Sequence, residues 1–136
     1  MRVVLDTNLI VSALIAPAGT PASIIKAWLD GKFTLLTCAA HLYELRATLH
    51  KPRIAEHVKP HKAGRLVNQI KNLAENIAHL PRVKRSADPT DDFLLGLSEG
   101  GKADYLVTGD KSGLLALGSH ESTRIVSARE FAGILF

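Results

Sequence analysis

The sequence predicts an α/β domain, with a mainly parallel central sheet and helices packed on both of its faces. Three observations carry this expectation. Short apolar runs recur along the chain (Arg2–Leu5, Phe33–Cys38, Tyr105–Thr108 and Arg124–Val126), each too continuous for a strand with one wet face. Between them lie longer segments whose apolar residues repeat every three or four positions, the helical period. The 136 residues are enough for one hydrophobic core and too few for two, so residues 1–136 are expected to form a single domain.

The elements follow in order. Arg2–Leu5 stops at Asp6 and reads as a buried strand, and Asn8 to Ile15 reads as a helix closed before Pro17 and Gly19. Thr20-Pro21 opens the next helix, Thr as N-cap and Pro at the first helical position. Ile24, Ile25, Trp28 and Leu29 mark its apolar face, and Gly31 ends it. The Phe33–Cys38 strand leads into a helix through His41, Glu44 and Thr48 that Pro52 breaks. Lys62 to His79 reads as one long helix with Leu66, Ile70, Leu73 and Ile77 on one face, stopped by Pro81. Asp88-Pro89-Thr90 is a turn feeding a helix with Phe93, Leu94 and Leu97, which Gly100-Gly101 closes. After the Tyr105–Thr108 strand come a short helix at Leu114–Leu117, the Arg124–Val126 strand and a last helix. Ser127 and Glu130 form a capping box at its start.

Composition excludes several classes. With 46% hydrophobic and 22% charged residues, the chain is neither disordered nor fibrous. A single cysteine, Cys38, excludes a disulfide scaffold and a cysteine-rich zinc module, and its apolar neighbours suggest a core residue rather than a nucleophile. The longest apolar stretch, Leu9–Ala16, is too short to cross a bilayer. Asp6 and Asn8 interrupt its likeness to a secretion signal, so the expected location is cytoplasmic, with no membrane partner. Charge is unevenly spread. Arg46–Arg85 holds ten Lys/Arg against Glu56 and Glu75, a net of +8. Ser86–Asp110 holds six acids against Lys102, a net of −5. A solvated helix followed by acidic caps produces such a pattern; so does a polyanion-binding face beside a carboxylate cluster.

In open parallel sheets the binding crevice lies beyond the carboxyl ends of the strands. Asp6 ends the first strand, Asp110 follows the third by two residues, Asp92 sits near a helix start, and Glu44 lies early in the helix after the second strand. Each has an ordinary explanation as a cap or surface residue. Four carboxylates converging on one edge would instead repel one another unless divalent cations joined them, and carboxylate-only ligation suits Mg²⁺ or Mn²⁺ rather than zinc.

The ordered set Leu5-Asp6-Thr7-Asn8, Tyr43-Glu44-Leu45, Asp91-Asp92-Phe93-Leu94-Leu95 and Val107-Thr108-Gly109-Asp110 resembles the PIN-domain ribonucleases, most of all the VapC-like toxins of toxin–antitoxin pairs. The resemblance spans residue 2 to about 126 and rests on the order of the set and the size of the domain. It implies a three-layer α/β/α sandwich, with Asp6, Glu44, Asp92 and Asp110 as catalytic metal-binding acids and Thr7, Asn8 and Thr108 as polar supports. For the third acid Asp91 is the alternative; Asp92 matches the family's spacing to the following apolar residues better. Asp88 and Asp104 are further acids, either structural or bordering the site.

The resulting expectation is a Mg²⁺- or Mn²⁺-dependent hydrolysis of RNA phosphodiesters, probed by whether Asp6→Asn and EDTA abolish cleavage. Arg46, Lys51, Arg53, Lys62 and Arg65 are the candidates for contacting the RNA backbone. The basic segment has no aromatic residue to stack on a base. A toxin role implies a cognate antitoxin protein. PIN toxins usually form homodimers, and Asn8–Ile15 and Ala22–Leu29 are apolar enough to supply such a surface as well as a core. Two alternatives stand beside this. A phosphoacceptor receiver-like domain has similar length and alternation, but no Asp ends the second strand here. A PIN-like module that binds RNA or protein without catalysis would show no stabilisation by divalent cations.

Overall fold

The computed structural model describes all 136 residues. Its centre is β1 (Arg2–Leu5), in which Val3, Val4 and Leu5 are all fully buried, as expected of a strand covered on both faces. The chain continues through α1 (Thr7–Ile15), α2 (Thr20–Leu29), β2 (Thr34–Thr37), α3 (Ala39–Leu49), α4 (Pro52–Ala55), α5 (Pro60–Leu73) and β3 (Glu75–Asn76). A 3₁₀ turn at Pro89–Asp91 then leads into α6 (Asp92–Gly100), followed by β4 (Tyr105–Val107), α7 (Leu114–Leu117), β5 (Ser119–His120), β6 (Thr123–Val126) and α8 (Ala128–Leu135). The six-stranded sheet has the order β3-β2-β1-β4-β6-β5, parallel throughout except for the β5–β6 hairpin.

Strand side chains alternate between two cores, following the period of two. Val3, Leu5, Leu35, Val107 and Val126 join the larger core with residues of α1, α2, α3, α5 and α8. Val4, Leu36, Leu106 and Ile125 join the smaller one with α6 and Leu114 of α7. The result is a three-layer α/β/α sandwich. Each fully buried Leu or Ile in it contributes about 1.5–3 kcal/mol of transfer free energy. Cys38 belongs to the smaller core, where burial raises its thiol pKa, an inert setting for a cysteine. No single helix is long and apolar enough to cross a membrane.

The structure departs from the sequence reading at three elements. The N-cap of α2 is Gly19, and Thr20 is already helical. The helix expected to run to His79 ends at Leu73, which is exposed; Ala74 turns extended and Glu75–Asn76 pairs with Leu36 and Thr37 as an edge strand. The chain then crosses the outer face of α6, packing Ile77, Leu80 and Val83 on the smaller core. Gly96 and Gly100 allow this approach, because a Cβ at Gly96 would lie 2.7 Å from the Pro81 carbonyl and one at Gly100 3.0 Å from that of His79. Finally, β5 precedes the last strand and turns back on it at Glu121, a non-glycine residue with φ of 51°. The Ser127–Glu130 capping box forms as expected.

Candidate active site

At the carboxyl ends of β1 and β4 lies a cleft of about 580 Å³ without a single hydrophobic residue in its lining. Its walls carry Asp6, Glu44, Asp88, Asp91 and Asp110, with Asn8, Thr48, Thr90 and Gly109 between them and Lys51 as the one cation. The fold brings these groups together by simple rules. Asp6 is the first residue beyond β1, and its amide still donates to the Val107 carbonyl of β4 at 2.9 Å. Asp110 follows β4 after Thr108-Gly109. Glu44 and Thr48 are one helical turn apart on α3, so they share a face.

The hydroxyl of Thr108 ties two acids together. It donates to Asp6 Oδ2 at 2.7 Å and accepts from the Asp110 amide at 3.2 Å. Asp110 is held further by the amides of Gly113 and Leu114, at 3.1 and 3.3 Å. A side chain at position 113 would collide with that carboxylate. Asp6 is only 7% exposed. Desolvation raises its pKa, the Thr108 hydrogen bond and the Asn8 and Thr7 amides oppose the rise, and the Asp110 charge adds to it. Asp91 carries the clearest signal. Desolvation, followed by the charges of Asp6, Asp88, Asp110 and Glu44, raises its pKa from 3.8 to about 6. Five carboxylates therefore share one field with little positive charge to offset it.

Asp92, the expected third acid, is not part of the cleft; Asp91 is. The Asp92 carboxylate faces the other way and accepts hydrogen bonds from the Ser86 amide and hydroxyl, at 2.9 and 2.8 Å, and from the Arg85 amide at 3.2 Å. These bonds hold its pKa below the ordinary value, the Ser86 amide most of all. Asp88 borders the cleft while capping the 3₁₀ turn, where its carboxylate accepts from the Thr90 amide and hydroxyl. Asp104 lies apart, accepting from the Arg2 amide. Of the polar supports, Thr108 makes the contacts just described and Asn8 lines the cleft. Thr7 is buried with its hydroxyl unpartnered.

The model of the PIN domain family matches residues 2–112. The chain belongs to the PIN-domain family. PIN domains are generally nucleases, and the match goes against the phosphoacceptor alternative. No curated protein matches the chain. Residues beyond the matched span complete this PIN domain's sheet with β5 and β6.

The basic candidates on this PIN domain are dispersed. Lys51 alone lines the cleft. Arg46 borders a groove between α3 and α5, Lys62 and Arg65 border a shallow groove against α1 and α2, and Arg53 is exposed on α4. Arg85 is engaged elsewhere, donating to the Ser119 carbonyl and to His120 Nδ1 at 2.8 and 2.9 Å. A second group of ligand-capable atoms, from Glu99, His120 and Glu121, lies within 4.8 Å. Both ring nitrogens of its histidine are taken, since Arg85 donates to Nδ1, which leaves the proton on Nε2 to be donated to Glu99 at 2.8 Å. That geometry is a structural relay pinning the 85–92 loop to β5, and it competes with metal ligation.

Proposed function

We propose that this PIN domain is a divalent-metal-dependent ribonuclease and that it acts as the toxin of a type II toxin–antitoxin pair. One observation carries the nuclease reading. Asp91 is held near pKa 6 by desolvation and then by the charges of four other carboxylates converging on the same cleft, a concentration of negative charge that a divalent cation would relieve. The donors are all oxygens, which fits Mg²⁺ or Mn²⁺ better than zinc. Asp6, Glu44, Asp91 and Asp110 would hold the ion, with Asp88 at the border. When bound, Mg²⁺ or Mn²⁺ supplies Lewis-acid polarisation of a phosphate and a more acidic water.

The chain's own residues do the rest. Thr108 fixes the orientation of Asp6 and sets the start of the Asp110 loop, so two ligands keep their geometry before anything binds. The Gly113 and Leu114 amides fix the direction of the Asp110 carboxylate. Asp91 gives up its proton as pH rises past 6, so metal affinity rises over the same range. Lys51 stands in the wall of the cleft, where an incoming phosphate finds a counter-charge.

The test is cleavage of RNA by wild type and Asp6→Asn, with Mg²⁺ or Mn²⁺ and with EDTA. Cleavage confined to wild type with metal supports the reading; equal cleavage by both proteins refutes it. The toxin role is tested by induced expression, in which wild type arrests growth and Asp6→Asn does not. That role calls for an antitoxin protein and a homodimer. The exposed Ile15 and Leu29 at the ends of α1 and α2 offer apolar surface for self-association, to be read by sedimentation.

A further inference from the structure

Around α3 the side chains sort into distinct directions. His41 and Leu45 enter the protein, Glu44 and Thr48 face the acidic cleft, and Arg46 and His50 border the groove toward α5. Tyr43 and Ala47 occupy the crest between cleft and groove. At 77% exposure, Tyr43 is the most exposed of the large apolar side chains. It immediately precedes Glu44, so only about 100° of helical rotation separates its ring from a wall of the cleft. Ala47, four residues on, leaves the ring's flank open. Lys51 continues the same wall as its one cation.

We propose that Tyr43 forms a base-binding subsite beside the cleft, stacking an unpaired nucleobase of the RNA whose phosphate is held between Lys51 and the carboxylate cluster. The site suits a nucleobase because an exposed phenol ring offers a flat apolar face that any base can cover, and stacking needs no hydrogen-bond readout. Its position supplies what the basic segment Arg46–Arg85 lacks, since that segment contains no aromatic residue. A base in a duplex has both faces covered already, so the subsite accepts only unpaired nucleotides and favours single-stranded substrate. The inference rests on the ribonuclease reading for the identity of the ligand.

The experiment measures equilibrium binding by fluorescence anisotropy, in the Asp6→Asn background so that nothing is cut. The probes are a labelled short single-stranded RNA and the same strand annealed to its complement. With Tyr43→Ala, binding of the single strand weakens by about 5- to 150-fold, the range of one lost base–aromatic stack, while duplex binding is unchanged. Tyr43→Phe retains the wild-type affinity, because the ring and not the hydroxyl makes the contact. In Tyr43→Trp the new exposed indole is quenched by the single strand, against a background of the buried Trp28. Equal single-strand binding by the Ala and Tyr proteins overturns the proposal. So does an equal loss for duplex and single strand, or no single-strand binding at all. Cleavage by wild type against Asp6→Asn decides the ribonuclease reading separately: if it fails while Tyr43-dependent binding persists, the subsite stands alone.

Discussion

Replacing Asp91 and Asp92 by Asn, one at a time, separates two adjacent carboxylates by the sign of their effect. Asp91 has its pKa raised to about 6 from 3.8 by desolvation and by the charges of Asp6, Asp88, Asp110 and Glu44. An acid raised in this way destabilises the folded chain once ionised: the penalty is absent below about pH 4, grows up to about pH 6 and is full above it. At roughly 1.4 kcal/mol per tenfold, the gap bounds the penalty at about 3 kcal/mol. The carboxyl is only partly buried, and solvent screening reduces the figure to about 1–2 kcal/mol. Asp91→Asn should therefore raise the Tm of the metal-free protein at pH 7.5 by about 3–8 °C, and by nothing at pH 4. Asp92 behaves oppositely. Its ionised form is stabilised by the Ser86 and Arg85 groups, so Asp92→Asn costs about 1 kcal/mol at pH 7.5, a difference that closes as pH falls below about 4. Thermal melts in EDTA and in saturating Mg²⁺ or Mn²⁺ read both effects. A cation at 100 times its Kd stabilises by about 2.7 kcal/mol; wild type and Asp92→Asn should keep that gain and Asp91→Asn should lose most of it. If Asp91→Asn is destabilising at pH 7.5, or keeps the full metal response, the placement of Asp91 in a shared carboxylate field is refuted.

Three further perturbations follow from the packing. Thr108→Val removes the hydroxyl that links Asp6 to the Asp110 amide, and metal affinity measured by titration calorimetry should fall by about 10–100-fold with the fold intact. His41 is buried against Phe93 with Nε2 unpartnered, and burial lowers its pKa from 6.5 to about 4. The unfolded chain therefore gains a proton that the folded one refuses, and about 3 kcal/mol of stability is lost between pH 6.5 and 4; urea unfolding of His41→Phe should lack that loss. Gly96→Ala places a Cβ 2.7 Å from the Pro81 carbonyl, and should cost about 1–3 kcal/mol as the segment from Ile77 to Arg85 is pushed off α6.

Much of the sandwich could be read from the sequence because strands buried on both faces leave continuous apolar runs. Val3–Leu5 and Leu35–Leu36 feed both cores and show no polar gap. The short edge strands could not be read this way. Glu75–Asn76 and Ser119–His120 are two residues each, and of these four only His120 is buried, so no side-chain pattern announces them. They exist because backbone groups at the sheet margin find partners, which composition does not record. The helix expected over Lys62–His79 overruns the observed one for a related reason. Ile77 falls at helical spacing from Ile70 and Leu73, yet it packs on the smaller core, on the opposite face of the sheet from Ile70.

The choice between Asp91 and Asp92 turns on helix phase. Residues 92, 96 and 100 form one i, i+4, i+8 stripe of α6, and every member faces the crossing segment: Asp92 accepts from Arg85 and Ser86, Gly96 meets the Pro81 carbonyl, and Gly100 meets that of His79. Asp91 precedes Leu94 and Leu95, both fully buried, by three and four residues, which puts it on the stripe that points at the sheet and therefore at the strand ends. The sequence contained this signal in Gly96 and Gly100: two glycines four apart in a helix indicate a close backbone crossing, and the acid four residues before them belongs to that crossing. Glu44 obeys the same phase rule from the other side. It stands one turn before Thr48, on the flank of α3 that borders the cleft, while Leu45 enters the core. The role of a helical acid here is set by whether its stripe meets the carboxylate cleft at the strand ends, as at Asp91 and Glu44, or a crossing chain whose amides donate to it, as at Asp92.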